Sequence, residues 1–491
     1  MRNALVVVLG LALAGFQLVG CNTPEAAPVL GELYNKAAQS ESPQRRPVVV
    51  LPGILGSKLV APDDTVVWGA FTGDFARPDT PEGGRLVSLP METGKPLGEL
   101  RDEVRADGAL EQVRVNLLGL RITNQAYYEI LGTLGAGGYR DQGLGNSGAI
   151  DYGDAHFTCF QFGYDWRRSN VETARELYRY LLKQRKYIAD EMAKLHGDAA
   201  PREDEVKFDI VAHSMGGLVT RYMLRYGDQP LPEDGSMPEL TWAGAGLVER
   251  VIIVGTPNAG SIESLVQLQE GKKFAPILLP RAPASVLGSM PSIYQLLPRP
   301  RHAPVTENGV ALDLYDPQVW IDRNWGLANP EHDDELEDLL PDVESAEARR
   351  AIALDHLRKS LAEAEQFAAA LDLPAKLPGN LELHLFCGDA EPTNRSAEWN
   401  GKELKMVDSG PGDGTVLRSS ALLDERVGGE WTPTLQTPID WTGYNFLFQN
   451  HLGITRSPEF SDKVLFLLLE APRSGFGAIT EIDNAMDETA K

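Results

Sequence analysis

The sequence predicts an α/β fold in which a doubly wound, mostly parallel sheet carries helices on both faces. Continuous apolar runs predict strands that are buried on both sides, because a strand with one exposed face would alternate polar and apolar residues. Helical patterns lie between these runs, and strands that alternate with helices indicate parallel pairing. The predicted strands lie in 47–53, 157–162, 206–212, 248–254 and 381–386, and the clearest helices in 171–192 and 218–226.

The composition is ordinary for a globular protein with a sizeable core. The 491 residues are 43% hydrophobic and 24% charged, and we expect one elaborated domain at 47–473. The formal net charge of −24 argues against nucleic acid as a partner, since phosphate binding requires a basic face. It also argues against electrostatic docking on anionic lipid, so any membrane contact is expected to be hydrophobic or covalent.

Residues 1–20 resemble a bacterial lipoprotein signal. Their apolar run is too short for a comfortable transmembrane helix, and Leu-Val-Gly directly precedes Cys21. The pattern predicts removal of the signal and diacylglyceryl modification of Cys21; an ordinary secretory signal with a chance cysteine is the alternative. The predicted location is a bacterial cell envelope, lipid-anchored and facing the periplasm or the exterior. Asn22 favours the outer membrane over the inner one.

Four further segments are expected around and within the domain. Residues 21–46, rich in Pro, Ala, Ser and Glu, predict a lipidated tether, and residues 474–491 predict a flexible tail. Insertions at about 63–139 and 261–377 do not fit a minimal sheet. The second is acidic and helical over 331–371, and we expect it to form a cap over the site.

Two cysteines, Cys159 and Cys387, would remain in the mature chain, and both lie in apolar strand-like runs. Two buried free thiols are the expected state, and a disulfide between two facing strands is the alternative. No Cys-x-x-Cys or histidine-rich spacing indicates a metal site, and no cofactor is predicted.

A candidate nucleophile, Ser214, lies in Ala212-His213-Ser214-Met215-Gly216-Gly217 between a predicted strand and a predicted helix. A small-x-Ser-x-Gly pattern in that place is typical of α/β hydrolases, in which a sharp turn holds the serine in a strained conformation. Bulky residues two positions to either side would collide, and Ala212, which replaces the more common glycine, is still small. The helix start and the Met215 N–H are expected to stabilise an oxyanion.

A second oxyanion donor is expected from the loop after an earlier strand. The stretch 51–57, Leu-Pro-Gly-Ile-Leu-Gly-Ser, fits this requirement, with the Ile54 N–H as the candidate. Gly53 and Gly56 would let the backbone approach a substrate closely. A plain glycine-rich turn is the alternative.

His451 is the predicted general base, because the chain order of the triad in this fold is serine, acid, histidine. It lies in a predicted loop before the apolar helix 463–469, and a surface histidine without function is the alternative. The other histidines downstream of Ser214 fall in an insertion or inside a strand: His302, His332, His356 and His384.

The acid partner is expected on a loop after a late strand. Asp413 is the candidate, because Gly412 and Gly414 permit a tight turn that aims its carboxylate inward towards the histidine. Asp389 is the rival and Asp408 a weaker one. An Asp-Gly turn without catalytic function is the remaining alternative.

Six stretches run in a fixed order from about residue 47 to 455: Pro52-Gly53-Ile54-Leu55-Gly56-Ser57-Lys58-Leu59, Tyr164-Asp165-Trp166-Arg167, Ala212-His213-Ser214-Met215-Gly216-Gly217, Pro291-Ser292-Ile293-Tyr294-Gln295-Leu296-Leu297-Pro298, Gly412-Asp413-Gly414-Thr415-Val416 and His451-Leu452-Gly453. Together they resemble the lecithin:cholesterol acyltransferase family. The resemblance implies an α/β hydrolase with a cap and a membrane-binding insertion. It implies attack on an sn-2 or similar phospholipid ester and transfer to an alcohol or to water.

The same resemblance implies Ser214, Asp413 and His451 as the triad, with Ile54 and Met215 as the oxyanion donors. Animal members close a lid near the site with cysteines that this sequence lacks. The resemblance therefore leaves the lid, and with it the lipid specificity, open.

Two aromatic features allow two interpretations each. The Tyr-Asp-Trp-Arg stretch predicts either a structural corner with Asp165 and Arg167 paired, or a direct role in substrate binding. Trp68 predicts either an anchor for a membrane-facing insertion or a core tryptophan.

The sequence as a whole predicts a serine acyl-hydrolase or O-acyltransferase that attacks a membrane phospholipid or another lipid ester through an acyl-enzyme. A triacylglycerol lipase or carboxylesterase with the same triad is the nearest alternative. A lipid-binding surface lipoprotein on an inactive hydrolase scaffold is the alternative from another class.

Overall fold

The structure, a computed structural model, describes residues 27–40, 45–69, 76–109, 112–117, 120–125, 127–143, 156–272 and 281–473. The predicted signal segment, Cys21 and the predicted tail lie outside the described residues. Among the helices that are described, none combines the length and the apolar character that crossing a bilayer requires.

Six parallel strands form the central sheet, which confirms the predicted architecture. In chain order they are β1 (Val48–Leu51), β2 (Cys159–Gln161), β3 (Phe208–His213), β4 (Val248–Val254), β5 (Glu382–Gly388) and β6 (Gly443–Leu447). Their order across the sheet is β6-β5-β4-β3-β1-β2, and every neighbouring pair is parallel. All residues of β1, β3 and β4 are buried, as the continuous apolar runs predict.

The edge strand β6 has no counterpart among the predicted strands. Only Leu447 of this strand is buried, and Tyr444 is exposed. A strand at the edge of a sheet with mostly half-exposed side chains produces no continuous apolar run, so the pattern that predicts the inner strands does not find it.

Six helices of nine or more residues are described, and most of them cover the two faces of the sheet. They are α1 (Tyr128–Ala136), α2 (Asn170–His196), α3 (Met215–Tyr226), α4 (Ile262–Glu270), α5 (Ala346–Asp372) and α6 (Pro458–Leu469). The Ser169 side chain caps α2 by accepting from the Val171 N–H, and α2 ends at Gly197, whose φ is 57°. Shorter α-helices lie at Leu30–Leu33, Asn35–Gln39, Pro81–Val87, Ala284–Gly288, Pro291–Tyr294, Pro317–Arg323, Asp333–Leu339 and Arg418–Leu422.

The helical stretch predicted at 331–371 is wrong as one continuous element. The structure divides it into Asp333–Leu339 and α5, with Pro341 in the break. Proline lacks an N–H and its ring clashes with the preceding turn, so it interrupts a helix. The end of α5 packs against α3, where the Tyr226 hydroxyl donates to the Ala370 carbonyl over 2.8 Å. The second insertion is thus packed onto the helix that follows Ser214.

Smaller sheets are built from the strand after β1, from the insertions and from a hairpin after β5. Strands Ser57–Val60, Val66–Trp68 and Arg105–Ala109 form one of them, and Gln112–Leu117 pairs with Leu120–Gln125. A four-stranded sheet contains Val305–Glu307, Val310–Ala311, Glu391–Trp399 and Leu404–Gly412. The last two strands form the hairpin, which leaves the sheet after β5 and returns the chain directly to Asp413.

Within the segment predicted as a tether, residues 27–40 are packed on the body. This part forms two short helices, and Tyr34 and Ala38 are both buried. The Tyr34 hydroxyl donates to Asp462 Oδ1 over 2.8 Å. Two apolar residues four positions apart present one face of a helical segment, and this face is enough to dock it.

Three local predictions are resolved by burial. Arg167 is fully buried and pairs with Asp165 and Asp102, with N–O distances of 2.7 and 2.8 Å, which favours the structural corner. Trp68 is a core tryptophan whose Nε1 donates to the Leu55 carbonyl over 2.9 Å. The two cysteines, 159 and 387, are buried free thiols, as expected.

Candidate active site

The candidate residues meet at the carboxyl edge of the central sheet. The loop with Ile54 follows β1, Ser214 follows β3, and His451 lies just beyond the end of β6. Asp413 reaches the same edge at the end of the hairpin that follows β5. Parallel strands place all their carboxyl ends on one side, which is why open α/β sheets carry their sites there.

Ser214 lies on the sharp turn that its sequence predicts. Its φ and ψ are 53° and −125°, a conformation that L-residues rarely adopt. A Cβ added at Gly216 would lie 2.6 Å from the Pro52 carbonyl oxygen, and one at Gly217 would lie 2.0 Å from Thr256 Oγ1. The small residues after the serine are therefore required by close packing.

Three predicted residues form a connected hydrogen-bonded row. Ser214 Oγ lies 3.0 Å from His451 Nε2, and His451 Nδ1 lies 2.8 Å from Asp413 Oδ2. The carboxylate accepts from Nδ1–H, so Nε2 is left to accept from the serine hydroxyl. The Asp413 side chain is 1% exposed and that of His451 is 15% exposed, and Ser214 is also buried, so the row as a whole is largely shielded from solvent.

The Asp413 turn holds the carboxylate and the histidine together. Oδ1 accepts from the N–H groups of Thr415 and Val416 over 2.9 and 2.7 Å, which leaves Oδ2 for the imidazole. Gly414 has a φ of 86°, which is the backbone conformation that glycine allows. The His451 N–H also donates to the Asp413 carbonyl over 2.8 Å.

The rival acids and histidines have other partners. Asp389 pairs with Arg418 over 3.1 Å, and the exposed Asp408 pairs with Arg395. The remaining downstream histidines contact Glu425 (His302), Glu335 (His332), the Ser289 carbonyl (His356) and Glu382 (His384).

The loop after β1 packs directly on the candidate nucleophile. A Cβ added at Gly53 would lie 2.7 Å from Ser214 Cβ and 3.2 Å from its Oγ. The Gly53 carbonyl accepts from the Gly56 N–H over 3.0 Å, so the peptide that carries the Ile54 N–H is held in place. Among the described residues, no acceptor takes the N–H of Ile54 or of Met215. Both groups are thus available to a ligand beside Ser214.

Two residues that the sequence argument did not assign to the site also reach it. Tyr127 Oη lies 3.1 Å from His213 Nδ1, and His213 Nε2 lies 3.1 Å from the His451 carbonyl oxygen. Burial, and then the neighbouring His451, lower the pKa of His213 to about 3, so its ring is neutral. Tyr127 belongs to an insertion without a motif. No local sequence pattern predicts the contact between Tyr127 and His213, which are 86 positions apart.

The arrangement suits nucleophilic attack on an ester carbonyl. It combines a hydroxyl, an imidazole within hydrogen-bond distance of it, a carboxylate bonded to the other nitrogen of that imidazole, and two nearby backbone N–H groups without an acceptor among the described residues. Across the part of the chain that the structure describes, no three His, Cys, Asp or Glu side chains group in a way that would hold a metal ion.

Comparison with solved structures identifies the fold. The crystal structure of the Tle4–Tli4 complex aligns with a TM-score of 0.51 and 16% identity, over 87% of this chain and 99% of that chain. EstA from Clostridium botulinum aligns at 0.34 and 13% identity, over 92% of each chain. Lipase 1 from Pelosinus fermentans aligns at 0.33 and 12% identity, over 87% of this chain and 99% of that chain. The first likeness and the strand order show an α/β-hydrolase fold.

Comparison of sequences gives one family match. No curated protein sequence matches the chain. The family described as lecithin:cholesterol acyltransferase matches residues 149–384, a range that includes Ser214 and ends within β5. This match supports an acyl-ester hydrolase or acyltransferase. Over these residues, just under half of the chain, the protein is similar to the lecithin:cholesterol acyltransferase family, and the fold agrees with that likeness.

Proposed function

We propose that the protein is a serine hydrolase or O-acyltransferase that attacks lipid esters with Ser214, using His451 as base and Asp413 as acid. The single observation that carries the proposal is the row Ser214 Oγ–His451 Nε2–His451 Nδ1–Asp413 Oδ2, with contacts of 3.0 and 2.8 Å. Nucleophile, base and orienting acid within hydrogen-bond reach are the signature of covalent acyl transfer.

The proposed reaction has two steps. His451 Nε2 takes the Ser214 proton as Oγ bonds to the ester carbonyl carbon, and the Ile54 and Met215 N–H groups bind the resulting oxyanion. The protonated imidazole, steadied by Asp413, then gives the proton to the departing alcohol, which leaves an acyl-serine. Water or a lipid alcohol attacks this ester with His451 again as base. Which acceptor reacts depends on how far the second insertion excludes water from the site.

Exposed apolar side chains beside the base support a lipid as substrate. Phe448 is 84% exposed and Leu452 is 38% exposed, and both flank His451 in the chain. Exposed apolar residues at the entrance of a site favour an apolar ligand or a lipid surface over a small polar ester. With Cys21 as a lipid anchor, a phospholipid or another lipid ester of the same membrane would be within reach.

Nucleophile substitution tests the proposed chemistry. Ser214→Ala is expected to abolish hydrolysis of p-nitrophenyl butyrate and labelling by an alkyl fluorophosphonate, with an unchanged melting curve. Ser409→Ala, an exposed serine on the hairpin, is the matched control and is expected to keep both activities. Failure of the intact protein to label would favour the non-catalytic lipid-binding alternative, and labelling that survives in Ser214→Ala would refute Ser214 as the nucleophile.

Substrate comparison separates the lipid classes. Hydrolysis of phosphatidylcholine vesicles, triglyceride emulsions and soluble p-nitrophenyl esters is measured side by side, and the phospholipid is expected to be the best substrate. Phe448→Ser is expected to lower activity on vesicles while sparing the soluble ester. Leu195→Ser is the control, since Leu195 is also exposed but lies near the end of α2, at the opposite edge of the sheet. A preference for triglyceride or for the soluble ester would support the lipase or carboxylesterase alternative.

We propose an envelope location on the sequence of the first residues alone. Cys21→Ser is expected to release the protein from the membrane fraction and to prevent incorporation of labelled palmitate. Equal membrane association of both forms would contradict a lipid anchor at Cys21.

A further inference from the structure

We propose that Tyr127 and His213 are positioning residues, which together hold the Ile54 oxyanion loop and the base His451 in one fixed geometry. The inference deepens the proposed function and rests on it. It concerns two buried side chains that do not reach the reacting atoms themselves. Their hydrogen bonds connect the loop after β1, the end of β3 and the loop after β6.

The direction of each hydrogen bond follows from the donors available. The Gly53 N–H can only donate, so Tyr127 Oη accepts from it over 2.7 Å. The hydroxyl proton of Tyr127 is then free to point to His213 Nδ1, 3.1 Å away. The His451 carbonyl can only accept, so His213 carries its proton on Nε2 and donates over 3.1 Å. One tautomer of a neutral ring satisfies every contact.

Burial makes this row unable to reorganise at low cost. Tyr127 is 4% exposed and His213 is 2% exposed. A buried N–H or imidazole nitrogen that loses its hydrogen-bond partner pays the free-energy cost of its desolvation without compensation. Each of these hydrogen bonds is therefore expected to persist in the folded protein. The His213 ring centroid lies 4.8 Å from that of His451, and because burial keeps the His213 ring neutral it places no second charge beside the base.

At one end the row fixes the oxyanion loop. Tyr127 binds the Gly53 N–H, and the Gly56 N–H binds the Gly53 carbonyl over 3.0 Å. Both peptide planes beside Gly53 are thereby set, and the second of them carries the Ile54 N–H. In a trans peptide the N–H points away from the carbonyl, so the Ile54 donor is aimed by these two contacts.

At the other end the row fixes the base. The His451 carbonyl accepts from His213, and the His451 N–H donates to the Asp413 carbonyl over 2.8 Å. The backbone of His451 is thus held on both sides, and its ring can meet Ser214 and Asp413 without further ordering. Fixed donors aimed at developing charge stabilise the transition state without reorganisation, which is the benefit that this row supplies.

Tyr127→Phe tests the inference, because it removes one hydroxyl and keeps the aromatic ring. We expect kcat for p-nitrophenyl butyrate to fall by about ten- to thirtyfold with KM nearly unchanged. An alkyl trifluoromethyl ketone, whose adduct with Ser214 carries an oxyanion, is expected to bind weaker by the same factor. The corresponding alkyl ether, which forms no oxyanion, is expected to bind as before. Tyr226→Phe is the matched control, since its buried hydroxyl also donates a hydrogen bond, in this case to the Ala370 carbonyl at the other end of α3 from Ser214.

A second variant keeps the test decisive if Tyr127→Phe does not fold. His213→Gln retains a donor for the His451 carbonyl but cannot reproduce the contact with Tyr127, and the same selective loss of ketone binding is expected. Wild-type kcat and ketone affinity in a folded variant at either position would overturn the inference while the proposed function stands. An equal loss of ketone and ether binding, as from general loosening, would also overturn it. A wild-type protein that neither hydrolyses esters nor labels with fluorophosphonate would instead refute the proposed function.

Discussion

Gly53→Ala is expected to disable the proposed oxyanion loop while leaving the fold intact. Gly53 has no positive φ, so alanine fits its backbone conformation and the effect comes from contact alone. The added Cβ would lie 2.7 Å from Ser214 Cβ and 3.3 Å from the His213 carbonyl oxygen. Carbon atoms that are not bonded approach to about 3.5 Å, so the loop must move away from the serine by roughly 0.8 Å.

The magnitude follows from that displacement. A misplacement of about 1 Å at a catalytic group costs about a hundredfold in rate, or about 2.7 kcal/mol of activation free energy. The Ile54 N–H moves with Gly53, so the loss is expected in kcat, because a donor aimed at the oxyanion acts in the transition state. Overpacking lowers the free energy of unfolding by about 1–3 kcal/mol, which a stable domain tolerates.

The assay is steady-state hydrolysis of p-nitrophenyl butyrate together with thermal melting. Gly246→Ala is the control, since a Cβ there meets nothing within 4 Å, and it is expected to keep wild-type kcat. A Gly53→Ala enzyme with kcat within about threefold of wild type would refute the assignment of the Ile54 loop as the oxyanion donor.

Three further outcomes are expected. Asp413→Asn should lower kcat by about 10⁴-fold in ester hydrolysis, because an amide no longer selects the His451 tautomer that leaves Nε2 free to accept. Arg167→Ala should lower the free energy of unfolding by about 3–5 kcal/mol in urea titration, because it leaves two carboxylates beside an empty buried site. Burial lowers the pKa of His356 from 6.5 to about 4, so the unfolded chain binds this proton first as the pH falls. About 3 kcal/mol of stability, complete above pH 6.5, should therefore be lost between pH 6.5 and 4, and His356→Gln should reduce that loss.

The first two outcomes have controls on the same chain. Asp408→Asn, at an exposed carboxylate paired with Arg395, should leave kcat unchanged. Arg101→Ala, at an exposed guanidinium paired with Glu172, should change stability by no more than about 1 kcal/mol. Equal effects at Asp408 and Asp413 would contradict the acid assignment. A stability profile that is identical in wild type and His356→Gln would contradict the buried neutral histidine.

Much of the fold was accessible from sequence because its inner strands are buried on both faces. The residues of β3 and β4 form unbroken apolar runs whose meaning does not depend on their neighbours. The edge strand β6 was not accessible, since its side chains are mostly half exposed and its strand conformation depends on pairing with β5. Pro341 is a helix-breaking residue that the sequence contains, but the helical pattern continues on both sides of it, so the stretch was predicted as one helix.

By itself, the sequence determined the candidate nucleophile and the type of turn that holds it. The requirement is local: a strained Ser214 needs small neighbours, and the Asp413 turn needs a glycine with positive φ at Gly414. Acyl transfer by a serine needs a base and an acid, so Ser214 directed the search to a histidine and a carboxylate. The chain order of serine, acid and histidine then favoured Asp413 and His451.

Only the tertiary structure decided which of these groups touch. It brought Ser214 and His451 to 3.0 Å across 237 positions of sequence, and it directed Asp413 rather than Asp389 to the imidazole. It also joined Tyr127 to His213, two residues that no motif connects. Hydrogen bonds between distant side chains depend on the register and packing of whole elements, and a local pattern of residues contains no record of either.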